Sequence, residues 1–210
     1  MFQSVLNFVS SIIFAIAATF GINIGVEEPH YDVIERISGA VEIRQYPKRV
    51  AAETTVETGK SDNPRGEAFR ALAGYIFGAN KARQNIDMTS PVEMSSSGAI
   101  IAMTTPVEVK ASDKALVMRF FTPAKYSIEE LPEPSDPRVK LIEIRPRTVA
   151  VLRFSTSTGD AAVSIYMADL LKALQSTTWQ VSGAGTVFLY NPPWTLPFLR
   201  RNEVAVPVSK

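Results

Sequence analysis

One stretch of the chain gathers side chains that could hold a ligand. Between Asn63 and Asn80 the pattern is helical, and at about 100° per residue Gly66, Arg70, Ala73, Gly74 and Phe77 fall on one side, joined by Lys81 if the helix persists. Small residues there leave a shallow strip, and Arg70, Phe77 and Lys81 set cations and a ring at its margins. That is chemistry for a flat, apolar molecule bearing carboxylates: the ring system lies on the small residues and a guanidinium takes a carboxylate. The same residues also read as a solvated helix face with one stray phenylalanine. Elsewhere, paired carboxylates such as Glu129-Glu130 have no neighbour that would separate their pKa values, so they read as solvated surface and not as an acid–base couple.

Composition narrows the classes. The 210 residues are 46% hydrophobic and 20% charged, with a formal net charge of +1, which is the make-up of one globular domain with a substantial core. No excess of positive charge is present to bind a phosphate backbone, so nucleic acid is not an expected partner. The absence of cysteine excludes disulfides, thiolate metal sites and cysteine nucleophiles.

The strip needs a scaffold. Asn63 is a cap, Pro64 suits the first helical position, and Gly78 with Asn80 gives a stop. Ala68, Phe69, Leu72, Tyr75 and Ile76 form the core face of this helix. Strand patterns surround it: Tyr31–Ile37, Val41–Tyr46 and Val50–Thr58 read as an opening meander, and Ala115–Phe121 as another strand. Four prolines between Thr122 and Pro137 mark a long surface connection. Then the first half repeats itself. Leu141–Phe154 echoes Val41–Glu53, each with a proline at its corner, and a second helix runs from about Asp160 to Gln175 with Val163, Met167, Leu170, Leu171 and Leu174 inward. Strands at Thr186–Tyr190 and Glu203–Val208 close the chain. Two such halves imply a pseudo-twofold α+β domain whose two helices cover a curved antiparallel sheet. Arg200, Arg201 and Glu203 read as an ion-pair network tying the last strand down, and Trp194–Arg201 as a pocket rim or partner-facing loop.

Ahead of this domain, Val5–Val26 carries no charged side chain. As a helix it would reach about 33 Å, enough for a hydrocarbon core of ~30 Å. Residues 1–28 therefore read as an N-terminal hydrophobic helix that anchors the chain in a membrane. Ala15-Ile16-Ala17 keeps a cleaved signal peptide open as the competing reading, and an interfacial or buried helix is a third. The acidic pair Glu27-Glu28 leans towards an extracytoplasmic (periplasmic) position for residues 29–210.

One phrase occurs twice: Ile86-Asp87-Met88-Thr89-Ser90-Pro91-Val92-Glu93 and Ile101-Ala102-Met103-Thr104-Thr105-Pro106-Val107-Glu108. Each copy alternates and then meets proline, the pattern of a half-buried strand that must end there. With this phrase, the connection Leu-Pro-Glu-Pro-Ser-Asp-Pro-Arg-Val, and Tyr190-Asn191-Pro192-Pro193-Trp194 leading to Phe198-Leu199-Arg200-Arg201-Asn202-Glu203-Val204, the chain resembles the SOUL haem-binding protein family, in its bacterial form, over residues 30 to 208. The resemblance implies a distorted antiparallel β-barrel of two β-α-β units with two flanking helices. It also implies non-covalent binding of haem or another tetrapyrrole, as carrier, buffer or sensor. Carried over by position, the haem surface comprises Phe69, Arg70, Ala73 and Phe77, with Lys81 and Met88 just beyond. His30, the single histidine, sits outside the matching positions and reads as a linker residue before it reads as an axial iron ligand; Met88 and Met103 read as core. Tyr31, Tyr75 and Tyr190 are weaker ligand candidates still. Two other classes remain: an enzyme removing iron from, or hydrolysing, a bound flat ligand, and an interaction module using residues 194–201.

Overall fold

The proline corners read in each half decide how the strands pair. In the computed structural model, which describes residues 19, 21, 26–38, 40–97, 115–192 and 194–210, Pro47 separates β2 (Val41–Tyr46) from β3 (Arg49–Glu57), and Pro146 separates β6 (Val139–Ile144) from β7 (Arg147–Phe154). At each corner the chain leaves one half of the sheet for the other. β2 pairs with β7 and β3 with β6, with Tyr46 opposite Arg147 and Arg49 opposite Ile144. The opening is therefore not a meander beyond β1 (Asp32–Ser38) and β2: two interlocked corners replace the expected β2–β3 hairpin.

The remaining strands among the described residues are β4 (Val92–Ser97), β5 (Ala115–Phe121), β8 (Gln180–Val181), β9 (Thr186–Leu189) and β10 (Asn202–Ser209). They lie in the order β1-β2-β7-β10-β9-β4-β5-β3-β6, with β8 on β10. Exchanging the first-half strands β2, β3, β4 and β5 for β6, β7, β9 and β10 reverses the order from β2 to β6 onto itself, which places the pseudo-twofold axis between β9 and β4. The result is a curled, antiparallel half-barrel with two helices, an α+β fold. Among the described residues it keeps two free ends, β1 and β6, where a barrel would close.

Each helix covers one half. α1 (Pro64–Ile76) begins where Asn63 accepts a hydrogen bond from the Gly66 amide at 2.9 Å, and it ends at Gly78, whose φ of +98° favours glycine. Its buried residues Ala68, Ala71, Leu72, Tyr75 and Ile76 pack with Val50, Ala52, Met118 and Phe120. α2 (Asp160–Leu174) packs Leu170 and Leu174 with Ile43, Ala150, Leu152 and Val204. Strand residues alternate between faces, so the neighbours of these contacts point away from both helices, into the curl of the sheet.

The first copy of the repeated phrase is not a strand up to its proline. Ile86–Pro91 is irregular, and β4 starts only at Val92. Its polar groups have other partners: the Ser90 amide donates to Glu27 O at 2.9 Å and the Ser90 hydroxyl to Tyr190 O at 3.0 Å. That stitches the entering chain to the end of β9. The second copy, Ile101–Glu108 with Met103, lies outside the described residues, as does Val5–Val26 except for Thr19, Gly21 and Val26. Among the described residues no helix is long and apolar enough to cross a membrane.

Candidate functional site

The helix strip survives in altered form. Phe77 is 69% exposed and Phe69 42% exposed, its ring meeting Phe120 edge-on at 5.4 Å. Phe69 thus belongs half to the core face read from its spacing and half to the surface carried over from the family pattern. Arg70 is exposed and makes no ion pair with any described residue. Ala73 is half-buried against the α1 core. Lys81 is exposed but occupied, holding Glu133 at 2.6 Å. Gly66 has a different purpose: a Cβ there would come within 2.5 Å of the Asn63 side chain, so glycine is required by the cap and not by a ligand.

Met88 is 40% exposed on the irregular segment and does not sit on a strand face with Ile86, which is buried. Phe77 bridges to Asn85, and the Ile86 amide donates to Ile76 O at 2.8 Å, so the chain bearing Met88 departs from the C-terminal end of α1. Phe69, Arg70 and Phe77 are therefore two exposed rings and a cation unpaired among the described residues on one helix, and Met88 is exposed on the chain that leaves its end. His30 does not join them. It is exposed, 3.6 Å from Asp32, and precedes Tyr31, whose ring packs on Tyr46 on the opposite face of the sheet. Among the described residues no group of three His, Asp or Glu side chains could hold a metal ion.

That opposite face carries the chemistry the sequence reading largely missed. Glu93 and Glu203 are completely buried there. Glu203 receives Arg44 Nη1 at 2.8 Å and Nη2 at 3.2 Å, Arg201 Nη2 at 3.0 Å and the Tyr190 hydroxyl at 2.8 Å. Glu93 receives Arg119 at 2.8 Å and Arg147 at 2.7 Å. Burial opposes the charge of Arg44, but the Glu203 carboxylate more than offsets it and raises the pKa above the ordinary arginine value. Burial, reinforced by Glu203, pushes the Tyr190 phenol well above its usual range. Arg201 also lies over the Tyr190 ring, 3.7 Å from its centroid. The ion-pair network read at Arg201 and Glu203 is thus present and reaches Arg44 on β2, and a second group of pairs is centred on Glu93. Arg200 belongs to it less directly, donating from Nε to Thr195 O at 2.8 Å.

The comparisons agree with this architecture. Residues 26–207 match the family model described as SOUL heme-binding protein. The chain belongs to that family. No curated protein sequence matches it. Solved structures share the fold of this SOUL domain at low identity. The C-terminal domain of EcmrR is 9% identical with a TM-score of 0.56, covering 86% of this chain and 98% of that one. An uncharacterized conserved protein from Listeria innocua is 11% identical with a TM-score of 0.60, covering 81% and 92%. A hydrolase from the same organism is 10% identical with a TM-score of 0.58, again over 81% and 92%. At such identities the likeness is one of fold alone.

A signal for the inner network of the SOUL domain was present in the sequence. Glu42 and Arg44, Glu93, Arg119 and Glu203 are charges of both signs at alternate positions of β-rich runs, a pattern that a solvated strand face produces equally well. Only the strand order tells the two apart.

Proposed function

We propose that the domain binds haem, or a related tetrapyrrole, non-covalently on the outer side of α1. The observation that carries this reading is Phe77, largely in solvent, with Phe69 and an Arg70 unpaired among the described residues on the same helix, and the exposed Met88 on the chain that follows, in a protein of the SOUL family. Phe69, Phe77 and Met88 would cover part of a macrocycle face, Ala73 would let it approach the backbone, and Arg70 would take a propionate. Lys81 would contribute only after releasing Glu133. Burying ~300 Å² of ligand surface would supply about 7 kcal/mol before the costs of association, enough for micromolar binding when those costs are small. Haem would bring redox and gas-binding chemistry; the strip itself offers packing and charge, which suits a carrier, buffer or sensor.

Tethering is the second part of the proposal: Val5–Val26 anchors the chain and the folded domain lies on the extracytoplasmic side. In support, the described end of that segment meets the domain beside an exposed apolar loop. The Leu196 amide donates to Thr19 O at 3.1 Å, in a loop where Trp194, Leu196, Phe198 and Leu199 are all exposed. The same four side chains favour the interaction-module reading, in which this loop meets a protein.

Haemin titration followed in the Soret region, with resonance Raman detection of ligation, tests the tetrapyrrole reading. A saturable change at micromolar protein is expected, and Arg70→Glu should weaken it severalfold while Arg153→Glu, an exposed change on β7, should not. No saturable change in the parent protein removes the reading; equal effects of the two variants remove the strip.

A further inference from the structure

We propose that the inner face of the half-barrel is a binding site for a small oxyanion, a carboxylate or phosphate, held between Arg49 and Arg147. Among the described residues, five arginines with side chains no more than about a fifth exposed point into this curl, and four of them have carboxylate partners. Arg44 pairs with Glu42 and Glu203, Arg119 with Glu53 and Glu93, Arg147 with Glu93, and Arg201 with Glu28 and Glu203. Arg49 is 9% exposed and has none among the described residues. Its Nε and Nη2 are buried without any hydrogen-bond acceptor, and so is the Nε of Arg147.

The surroundings of Arg49 hold its guanidinium flat and leave it one direction for binding. Tyr46 and Phe121 each place a ring centroid 4.3 Å from its central carbon. Rings satisfy the faces of a guanidinium but not its N–H edge. The edge left unmet carries Nε and Nη2, the side-on pair that takes a carboxylate or phosphate with two parallel hydrogen bonds. Arg147 lies opposite Tyr46 in the β2–β7 ladder, on which Arg49 rests, and it has already given Nη2 to Glu93. Its free Nε therefore joins the same neighbourhood. A water molecule could accept one of these hydrogen bonds but would leave the buried charge uncompensated, which is the larger cost. Burial and then the repulsion of Arg147 push the Arg49 pKa down to about 10, and Glu93, already held by Arg147, offsets this only in part. The side chains of Arg119, Arg147 and Glu53, each 21% exposed, are where the inner face opens to solvent.

This site is independent of the tetrapyrrole strip, since α1 packs on the other face of the sheet, and its test reads neither haem nor turnover. The full chain is melted in detergent with chloride as the only anion, then with acetate or inorganic phosphate at matched ionic strength. The parent protein is expected to gain roughly 5–10 °C at a hundredfold excess over Kd, saturably. Arg49→Met, which keeps the bulk and removes the charge, should melt above the parent in chloride and gain nothing further from either anion. Arg147→Met should lose most of the gain. Acetate alone acting would assign a carboxylate, phosphate alone a phosphate. Should a variant fail to fold, the Nε–H resonances of Arg49 and Arg147 in the parent protein are followed by NMR during the same titrations. The proposal is overturned if the anions shift parent and Arg49→Met equally, if neither anion acts, or if those resonances do not move.

Discussion

On the outer side of α1, Phe77 and Arg70 stand in solvent with no partner from the described chain; on the inner face of the sheet, aromatic rings and arginines are packed so closely that Glu93 and Glu203 are inaccessible. The two regions are built from the same kinds of side chain. What differs is who supplies the partner. Inside, the partners are mostly the chain's own carboxylates, so the energy of each contact goes into holding β2, β5, β7 and β10 together. Outside, the contacts are left for something else to make. The two regions should therefore respond oppositely to mutation: the inner ion pairs govern stability, the outer residues govern haemin affinity.

The strongest test of that contrast is Glu203→Leu. It removes the acceptor shared by Arg44, Arg201 and the Tyr190 hydroxyl in a buried site, leaving Glu42 as the carboxylate partner of Arg44 and Glu28 as that of Arg201. Breaking a buried pair on one side costs about 3–5 kcal/mol, which for a chain of this size is a fall in Tm of roughly 10 °C. Where the variant is still folded, its affinity for haemin should equal that of the parent. A large loss of haemin affinity with unchanged Tm would reverse the assignment of the two regions. Arg119 belongs on the same side of the contrast: with both Glu53 and Glu93 as partners, its charge reversal would unfold the protein before it reported on any ligand.

Phe77→Ala is the mirror experiment. Its ring is 69% exposed, so thermal stability should move by no more than about 0.5 kcal/mol. Haemin affinity should fall about tenfold, equivalent to about 1.4 kcal/mol. A variant that melts earlier but binds as before would show the ring to be structural.

How much of this was legible beforehand depends on how local the cause is. The ends of α1 follow from Asn63, Pro64 and Gly78, and β5 falls on the run Ala115–Phe121 as read, because caps and period-two patterns act within a few residues. The duplication was visible in the corners at Pro47 and Pro146 and returns in the pairing order. The inner site was legible only at Arg201 and Glu203, two positions apart, since Arg44 and Glu203 are 159 positions apart and nothing in either segment names the other. Within the strip, Arg70 and Phe77 were read correctly as exposed because they lie opposite the apolar stripe. The surroundings of Lys81 and Gly66 needed tertiary information: Glu133 comes from the proline-rich connection, and the Asn63 side chain folds over the helix start.

Gly66 offers a smaller effect that sharpens the same point. A methyl group there meets the Asn63 amide and displaces the cap, so Gly66→Ala should cost about 1 kcal/mol of stability. It should leave haemin affinity unchanged. Were the glycine part of the ligand strip, denaturant unfolding would barely move and the Soret titration would weaken instead.

The smallest expected effect separates the faces by titration. Burial alone pushes the Tyr75 phenol up to about 12, on the α1 side, where its hydroxyl donates to Pro132 O at 2.9 Å. Tyr46 and Tyr190, on the inner face, are raised first by burial and further by Glu203. All three phenols stay protonated in the fold after their counterparts in the unfolded chain have ionised near pH 10. The unfolded state then binds fewer protons than the native one, so stability is fully retained below about pH 10 and declines as pH rises through the native values. Phenolate absorbance of the native chain should accordingly lag that of the denatured chain. The lag has two origins, and Glu203→Leu distinguishes them: Tyr190 should ionise earlier in that variant, while Tyr75, held up by burial alone, should keep its titration. Tyr75→Phe removes only the second component. If the lag instead disappears as a whole in Glu203→Leu at a temperature where the variant is folded, the two faces are electrostatically coupled, and the separation of a structural interior from a ligand-facing exterior fails.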